Sequence, residues 1–230
     1  MPLNIRQSAL LVLKTFVLSA WSPSFDEFQG QELVNPTNKE QVRLALLELA
    51  TSEEHDRKVK SAASYVVGKI ASTDFPDQWP SLLPTLLQLI PTGSDAQIHG
   101  ALKVLGDMVE DGLSEEQFFK VARDLVKVVY DVAVNDSRKP TLRALAISVF
   151  RATIDTLDIV QEDHKEAVKA FADETLSAWS PFFVDMMRKP LPEPPSESNE
   201  AADGGPEEQW RGLIALKLQV VKVRAQRADR

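Results

Sequence analysis

The chain of 230 residues contains no cysteine, only three histidines and only nine glycines. The absence of cysteine excludes disulfides, thiolate zinc sites, iron–sulfur clusters and a cysteine nucleophile. The histidines lie 44 and 65 positions apart, which excludes the zinc-binding spacing H-E-x-x-H. The glycines form neither a phosphate-binding loop nor a nucleophile elbow. We therefore expect no enzyme activity, no cofactor and no metal site.

Long apolar runs are absent as well. The longest extend over five residues, such as Ala9 to Leu13, whereas a membrane-spanning helix needs about 18 to 20. The amino-terminal residues also lack the pattern of a secretory signal. The sequence therefore predicts an intracellular protein with no membrane segment.

Acidic residues outnumber basic ones by 34 to 26, which gives a formal net charge of −8. Binding to nucleic acids needs clustered Lys and Arg, so we expect no nucleic-acid partner. The acidic balance instead favours basic protein partners. Much of the charge is local, since six acids, no base and five of the fourteen prolines lie between Pro190 and Trp210.

The stretch at about residues 190 to 206 is predicted to be a disordered acidic insertion. Its few apolar residues cannot offset a backbone entropy cost of about 1 to 2 kcal/mol per residue. Two interpretations are open, namely salt-dependent attraction of basic cargo over about 8 Å, or a solvated spacer. The acids counted with this insertion are Glu193, Glu197, Glu200, Asp203, Glu207 and Glu208.

Elsewhere, apolar residues recur at helical spacing, and Gly, Pro, Asn, Asp and Ser separate the periodic segments. Three helix starts have the pattern of a side-chain cap. Ser94 precedes the fifth helix, Ser114 forms a capping box with Gln117 at the sixth, and Ser137 precedes Pro140 at the seventh. Alternation long enough for a strand is absent, so the chain is predicted to be all-α. The nine predicted helices are 3 to 20, 37 to 51, 54 to 72, 80 to 91, 95 to 111, 115 to 134, 138 to 157, 162 to 187 and 207 to 228.

Every second helix contains an alanine that is followed three residues later by a branched apolar residue. These alanines lie 54, 38, 43 and 71 positions apart, and removing the acidic insertion shortens the last interval to 54. A period near 40 with two helices per unit is typical of HEAT repeats. We therefore predict one right-handed, curved α-solenoid over residues 1 to 230, with the alanine helices on its concave inner side. The alanines are Ala9, Ala63, Ala101, Ala144 and Ala215.

The first helix has the pattern of an inner helix without an outer helix before it. The chain is therefore predicted to be a fragment of a longer solenoid, with about four and a half repeats here. Apolar residues of this helix would then face a partner outside the chain. They are Leu3, Leu10, Leu13, Phe16 and Val17.

One corner of the sequence carries a recognisable motif, in which Asp74-Phe75-Pro76 is followed after two residues by Trp79-Pro80. The motif lies between an inner helix and the next outer one. It resembles the corner of importin-β-type nuclear transport receptors, and the resemblance covers essentially the whole chain. We expect the prolines to fix the corner, Trp79 to be buried between repeats and Pro80 to take the first helical position. The motif is interpreted as structural.

Residues 2 to 14 and the acidic insertion narrow the resemblance to one member of that family. The resemblance implies a carrier that shuttles between cytoplasm and nucleus with basic protein cargo, histones in particular. It also implies that Ran in its GTP form docks on the inner helices and expels the cargo through linkage between two ligands. The resemblance further implies nucleoporin repeats as a partner. The alternative is a static HEAT-repeat scaffold without GTPase dependence.

Helical geometry selects Ran-binding candidates as polar residues on inner helices that face away from the apolar stripe. The stripes of the third and fifth helices are Val59, Ala63, Val66, Val67, Ile70, Ala101, Leu102, Leu105 and Val109. The candidates are Gln7, Lys14, Arg57, Lys58, Ser61, Tyr65, Gln97, His99, Lys103, Asp107 and Glu110. Charge reversal at Lys103 and Asp107 is expected to weaken Ran-GTP binding.

Overall fold

The computed structural model describes residues 2–30, 34–53, 56–111, 113–160, 164–191, 193–195 and 205–228. In these ranges it contains nine α-helices and no β-strand, so the all-α prediction is confirmed. Each helix end lies within three residues of its predicted position. None of the described helices is both long and apolar enough to cross a membrane. The helices are α1 (Leu3–Ala20), α2 (Pro36–Ala50), α3 (Arg57–Asp74), α4 (Leu82–Thr92), α5 (Asp95–Asp111), α6 (Glu115–Val134), α7 (Pro140–Val160), α8 (Lys165–Arg188) and α9 (Pro206–Ala228).

Reciprocal side-chain caps define the starts of α5 and α6, as predicted. The Ser114 backbone N–H donates to Gln117 Oε1 at 2.8 Å, and the Gln117 N–H donates to Ser114 Oγ at 3.4 Å. Ser94 and Gln97 form the same box, at 3.0 and 3.3 Å. Each box satisfies backbone donors that the first turn of a helix leaves unpaired.

The predicted cap at Ser137 is wrong. Helix α7 begins at Pro140, and the Ser137 N–H donates to Asn135 Oδ1 at 2.9 Å in an Asx turn. Two other caps were not predicted. The side chains of Asn35 and Asp56 each accept the backbone N–H three residues later, at 2.9 and 2.8 Å, and so begin α2 and α3.

The chain divides into two compact units, Met1–Lys120 and Val121–Arg230. In the first unit α2 packs on α3 and α4 on α5, while α3 contacts both α1 and α5. In the second unit α7 packs on α9, and α8 also contacts α9. Alternate helices thus form one layer within each unit, as in HEAT-type repeats. The predicted fold class, an α-solenoid of this type, is confirmed.

The apolar stripes predicted for α3 and α5 are buried in full. On α1, Leu10 and Val17 are also buried, because α1 packs on α3 within the first unit. The prediction that these two residues face a helix outside the chain is therefore wrong. Leu13 is half-buried. The large apolar side chains that α1 leaves exposed are Leu3, Ile5, Leu11, Val12 and Phe16.

Small residues allow two helices to pack closely, and the closest packing occurs at a glycine, Gly100, and not at one of the predicted alanines. Ala9 is exposed and Ala215 is half-buried, whereas the other three alanines are buried. A Cβ atom at Gly100 would overlap the carbonyl oxygen of Ala50 at the end of α2. Glycine therefore allows α5 to reach the backbone of α2, which no other residue could do without a shift. The predicted pattern, in which all five alanines lie at contacts between helices, is therefore found at only three of them.

Candidate functional site

The corner motif lies in a buried polar cluster. The Asp74 side chain is only 2% exposed. Its Oδ2 atom accepts a hydrogen bond from Trp21 Nε1 at 3.0 Å and lies 3.4 Å from Arg43 Nε. These partners offset the desolvation of the carboxylate, because a buried charge needs both an opposite charge and hydrogen bonds. The cluster joins the ends of α1 and α3 to the middle of α2.

Trp79 belongs to the same cluster and is 4% exposed. The Arg43 guanidinium lies 6.0 Å from the centroid of the Trp79 ring and donates to the carbonyl of Gln78. The Phe75 carbonyl accepts a hydrogen bond from Gln117 Nε2 at 2.6 Å. This burial leaves almost none of Trp79 for a partner, which agrees with a structural role for the motif.

The predicted position of Pro80 is wrong. Helix α4 begins at Leu82, and the Leu82 N–H donates to the Trp79 carbonyl at 3.3 Å. Pro80 is therefore the second residue of a separate turn, where its fixed φ angle is favourable. The peptide bond before Pro76 is cis. The corner thus ends in a turn of its own before α4 starts.

Gln7 and Asp56 connect α1 to the start of α3. Gln7 Nε2 donates to Asp56 Oδ1 at 3.3 Å, and the same carboxylate caps α3 by accepting the Val59 N–H at 2.8 Å. These hydrogen bonds, chiefly the one from Val59, hold the pKa of Asp56 below its usual range. The predicted candidate Gln7 therefore already makes a contact within the chain.

Lys14, Tyr65 and Lys69 meet where α1 and α3 pack together. Lys14 Nζ lies 4.2 Å and Lys69 Nζ 5.5 Å from the centroid of the Tyr65 ring, which is the range of cation–π attraction. All three residues are half-buried. Lys69 was not among the predicted candidates. Its position one helical turn after Tyr65 is the signal that could have revealed it.

On α5, Lys103 Nζ lies 3.4 Å from Asp107 Oδ1, one turn further along the helix. Their side chains are 35% and 18% exposed, so this pair faces solvent in part. Asp107 also packs on α3, because a Cβ atom at Gly68 would lie 3.0 Å from the Asp107 Cβ. His99 is half-buried and Glu110 is exposed. The candidates of α5 therefore extend the polar surface beside α3.

The remaining candidates differ in their surroundings. The side-chain oxygen of Gln97 accepts the Ser94 N–H in the capping box, so this side chain takes part in the start of α5. Lys58 and Ser61 are exposed near the start of α3. The side chain of Arg57 lies outside the described residues.

Lys60 is a buried residue that the helical pattern did not single out, and it is only 5% exposed. Its ammonium donates to the carbonyls of Ser52 at 2.9 Å and Ala96 at 2.6 Å, and so joins the loop before α3 to the start of α5. Burial lowers the pKa of Lys60, and the Glu53 carboxylate acts in the opposite direction. Its place three residues before Ala63 of the buried stripe could have indicated this burial.

The acidic insertion ends before Glu207 and Glu208, which were predicted to belong to it. Glu207 and Glu208 lie in the first turn of α9, which begins at Pro206, and Glu207 pairs with Arg211. Counting these two acids with the insertion was wrong, since carboxylates in a first turn stabilise the helix through its dipole. Glu193 is exposed. The acids that lie outside the described residues are Glu197, Glu200 and Asp203.

A groove of about 280 Å³ lies in the second unit between α6 and α8. Its wall includes Trp179, which stacks on Phe150 at a centroid distance of 3.9 Å and meets Tyr130 edge-on at 5.2 Å. The buried Trp179 Nε1 has no hydrogen-bond partner among the described residues. Arg123 and Glu174 pair beside the groove at 3.3 Å. Such a groove suits an apolar side chain.

Several known proteins are similar to this chain in sequence. No family model matches the chain. Importin subunit beta-5 of Schizosaccharomyces pombe is 33% identical over 183 residues, which cover 78% of this chain and 18% of the relative. The chain is a homologue of importin-β-family proteins. The family resemblance predicted from the corner motif is confirmed at this level.

Two further importins match most of the chain. Importin subunit beta-5 of Saccharomyces cerevisiae is 28% identical over 177 residues, which cover 76% of this chain and 17% of the relative. The probable importin-7 homolog of Dictyostelium discoideum is 22% identical over 229 residues, which cover 90% and 19%. The chain therefore spans about a fifth of the length of the curated relatives it matches.

Proposed function

We propose that this chain is part of a nuclear transport receptor and binds Ran in its GTP form on the polar face of α1, α3 and α5. The similarity to importins over 78% of the chain carries this proposal. The packing of α3 on both α1 and α5 supports it, because their polar residues then share one surface. Binding of this kind makes and breaks no covalent bond, so the proposed role is not enzymatic.

Ran binding would release cargo through linkage. A ligand that changes the affinity for another contributes a coupling free energy of typically about 1 to 3 kcal/mol, which corresponds to about 5- to 150-fold. The net charge of −8 favours basic cargo. A receptor working in this way would shuttle between cytoplasm and nucleus, taking up cargo where Ran-GTP is scarce.

Titration calorimetry with Ran loaded with a non-hydrolysable GTP analogue or with GDP tests the proposal. We expect the GTP form to bind at least about tenfold more tightly. Reversing the charges of Lys103 and Asp107 should weaken this binding, whereas the same reversal at Arg151 and Asp155, a matched pair at 4.0 Å on α7, should not. Equal affinity for both nucleotide forms would favour the static scaffold instead.

We propose importin nine as the family member that the chain resembles in residues 2 to 14 and in its acidic insertion, and core histones as its cargo. Replacing the acids at 193, 197, 200 and 203 by Gln keeps the length of the insertion and removes its charge. A salt-dependent loss of histone affinity would support attraction of cargo. Unchanged affinity, also after deletion of residues 191 to 205, would support the spacer.

We further propose that nucleoporin repeats place an apolar side chain in the groove between α6 and α8. Its aromatic wall favours this use. Ala178 lines the groove and is exposed, so Ala178→Glu should block binding of a repeat peptide without disturbing the core. The neighbouring exposed residue provides the control Ser177→Glu. Equal binding by both variants would contradict the proposal.

A further inference from the structure

We infer that a second copy of this chain docks on an apolar stripe of α1. The members of the stripe follow each other after four, three and four residues, which places them on one face of the helix, within about 60°. All are exposed, with Val12 at 69%, Ile5 at 49% and Phe16 at 36%. The stripe consists of Ile5, Ala9, Val12 and Phe16.

The equivalent positions of α3 are covered by helices. The interval of 54 residues that aligns Ala9 with Ala63 also aligns the whole stripe with four residues of α3. Each of these four is at most 1% exposed, and α3 packs on α2 as well as on α1 and α5. In the described part of the chain, no helix packs on α1 as α2 packs on α3. The stripe is therefore a helix-packing face without its helix. The equivalent residues of α3 are Val59, Ala63, Val66 and Ile70.

The stripe is separate from the surface proposed to bind Ran. At 3.6 residues per turn, Gln7 and Lys14 lie about 170° around α1 from the centre of the stripe. Leu10 and Val17, which are buried where α1 packs on α3, lie about 110° to 130° from it. A copy bound to the stripe would thus lie on the opposite side of α1 from the Ran candidates. The inference does not depend on the proposed function.

The stripe is complementary to itself. Its spacing is the same in both chain directions, so a two-fold axis between two antiparallel α1 helices would place Ile5 opposite Phe16 and Ala9 opposite Val12. Alanine opposite a larger residue allows the two helices to approach closely at the centre. Both charged residues of α1 lie outside the stripe, so no like charges meet in the contact. These properties favour a second copy as the occupant.

The size of the contact predicts a weak and reversible dimer. A helix of 18 residues is about 27 Å long and about 10 Å wide, so each copy would bury on the order of a few hundred Å². This area lies at the low end for specific interfaces. Each copy also carries a net charge of −8, and salt screens the resulting repulsion. We expect a dissociation constant of about 10 to 100 µM at physiological salt, and a tighter dimer at higher salt.

Sedimentation velocity of the 230-residue chain between about 2 and 400 µM tests this inference. Wild type should change from monomer to dimer over this range. Val12→Glu should weaken the dimer at least about tenfold, because each copy would bury a carboxylate against apolar side chains. Leu11→Glu is the matched control, since Leu11 is 63% exposed on the same helix but lies about 130° from the stripe. It should stay within about twofold of wild type, and circular dichroism would verify that both variants are folded.

Disulfide formation tests the antiparallel arrangement. The chain contains no cysteine, so an introduced cysteine reports only on the chosen position. A mixture of Ile5→Cys and Phe16→Cys chains should form a disulfide between copies under mild oxidation, because these positions would lie opposite each other. Either variant alone should not, because like positions would be about 16 Å apart along the helix axis and a disulfide spans at most about 7 Å between Cα atoms.

Three results would overturn the inference. The first is a wild-type chain that stays monomeric up to about 400 µM, which would favour a helix of another protein as the occupant. The second is equal association of Val12→Glu and Leu11→Glu, which would place any dimer contact on another surface. The third is a disulfide that forms as readily within either cysteine variant alone as in the mixture, which would exclude the antiparallel pairing of the two stripes.

Discussion

Replacing Asp74 by Asn removes the charge of the corner cluster while keeping the shape of the side chain. The amide oxygen of Asn can still accept the hydrogen bond of Trp21, so the variant isolates the loss of charge beside Arg43. Arg43 is only 7% exposed. Removing one partner of a buried ion pair costs about 3 to 5 kcal/mol, because the other charge stays buried without compensation. Since Arg43 still donates to the Gln78 carbonyl, we expect about 3 kcal/mol, the lower end of that range.

Urea unfolding at neutral pH, followed by circular dichroism, measures this loss. With a slope of about 3 kcal/mol per M, a loss of about 3 kcal/mol lowers the midpoint by about 1 M urea. Asp107→Asn provides the control, because it breaks the partly exposed pair with Lys103 and should cost only about 0 to 1 kcal/mol.

A second variant separates charge from packing. Arg43→Met combined with Asp74→Asn removes both buried charges, so the combined loss should be smaller than the sum of the two single losses by at least about 1 kcal/mol. If Asp74→Asn lowers the midpoint no more than Asp107→Asn does, the ion pair contributes little. The pair of Arg43 and Asp74 would then not be what holds α1, α2 and α3 together at the corner.

Three further predictions concern single residues. Gly100→Ala should lower the free energy of unfolding by about 1 to 3 kcal/mol, because its Cβ atom would overlap the carbonyl oxygen of Ala50. Gly68→Ala should cost less, because its Cβ atom would lie 3.0 Å from the Asp107 Cβ, at the edge of ordinary contact; the reverse order would contradict the geometry. The folded pKa of Asp56 lies below its ordinary value of 3.8, so its stabilisation is complete above that value and is lost as the pH falls through the folded pKa. Asp56→Asn keeps a cap and should show a smaller acid-induced fall in Tm, whereas an identical fall would refute the assignment. Lys60→Met removes the ammonium that donates to two carbonyls and should cost about 1 to 3 kcal/mol by urea unfolding, and a neutral effect would show that water replaces the ammonium.

Local rules accounted for most of the secondary structure. The capping box at Ser114 was read from four consecutive positions, and the buried stripe from Val59 to Ile70 was read from helical spacing. Both depend on interactions within one or two turns, so a window of sequence contains all the partners. Pro80 was misplaced because the turn formed by Trp79 and Leu82 competes with an earlier start of α4, and helix preference alone does not reveal that competition.

The sequence could predict which residues belong to the candidate surface but not which of them contact each other. Lys14 and Tyr65 were selected for facing away from the apolar stripe, but the ring contact that unites them with Lys69 depends on how α1 packs against α3. Spacing along one helix shows which residues share a face. It contains no information about which residue of the next helix lies opposite.

The sequence by itself determined an all-α chain of HEAT-type helices, because the repeated apolar spacing and the caps are local properties. Only the tertiary structure decided that Lys39 and Arg43 are buried, each 7% exposed. Lys39 donates to the Trp21 carbonyl at 2.6 Å, and Arg43 pairs with Asp74 across 31 positions of sequence. A charged side chain can leave water only when distant partners compensate its desolvation, and those partners are brought to it by the packing of helices.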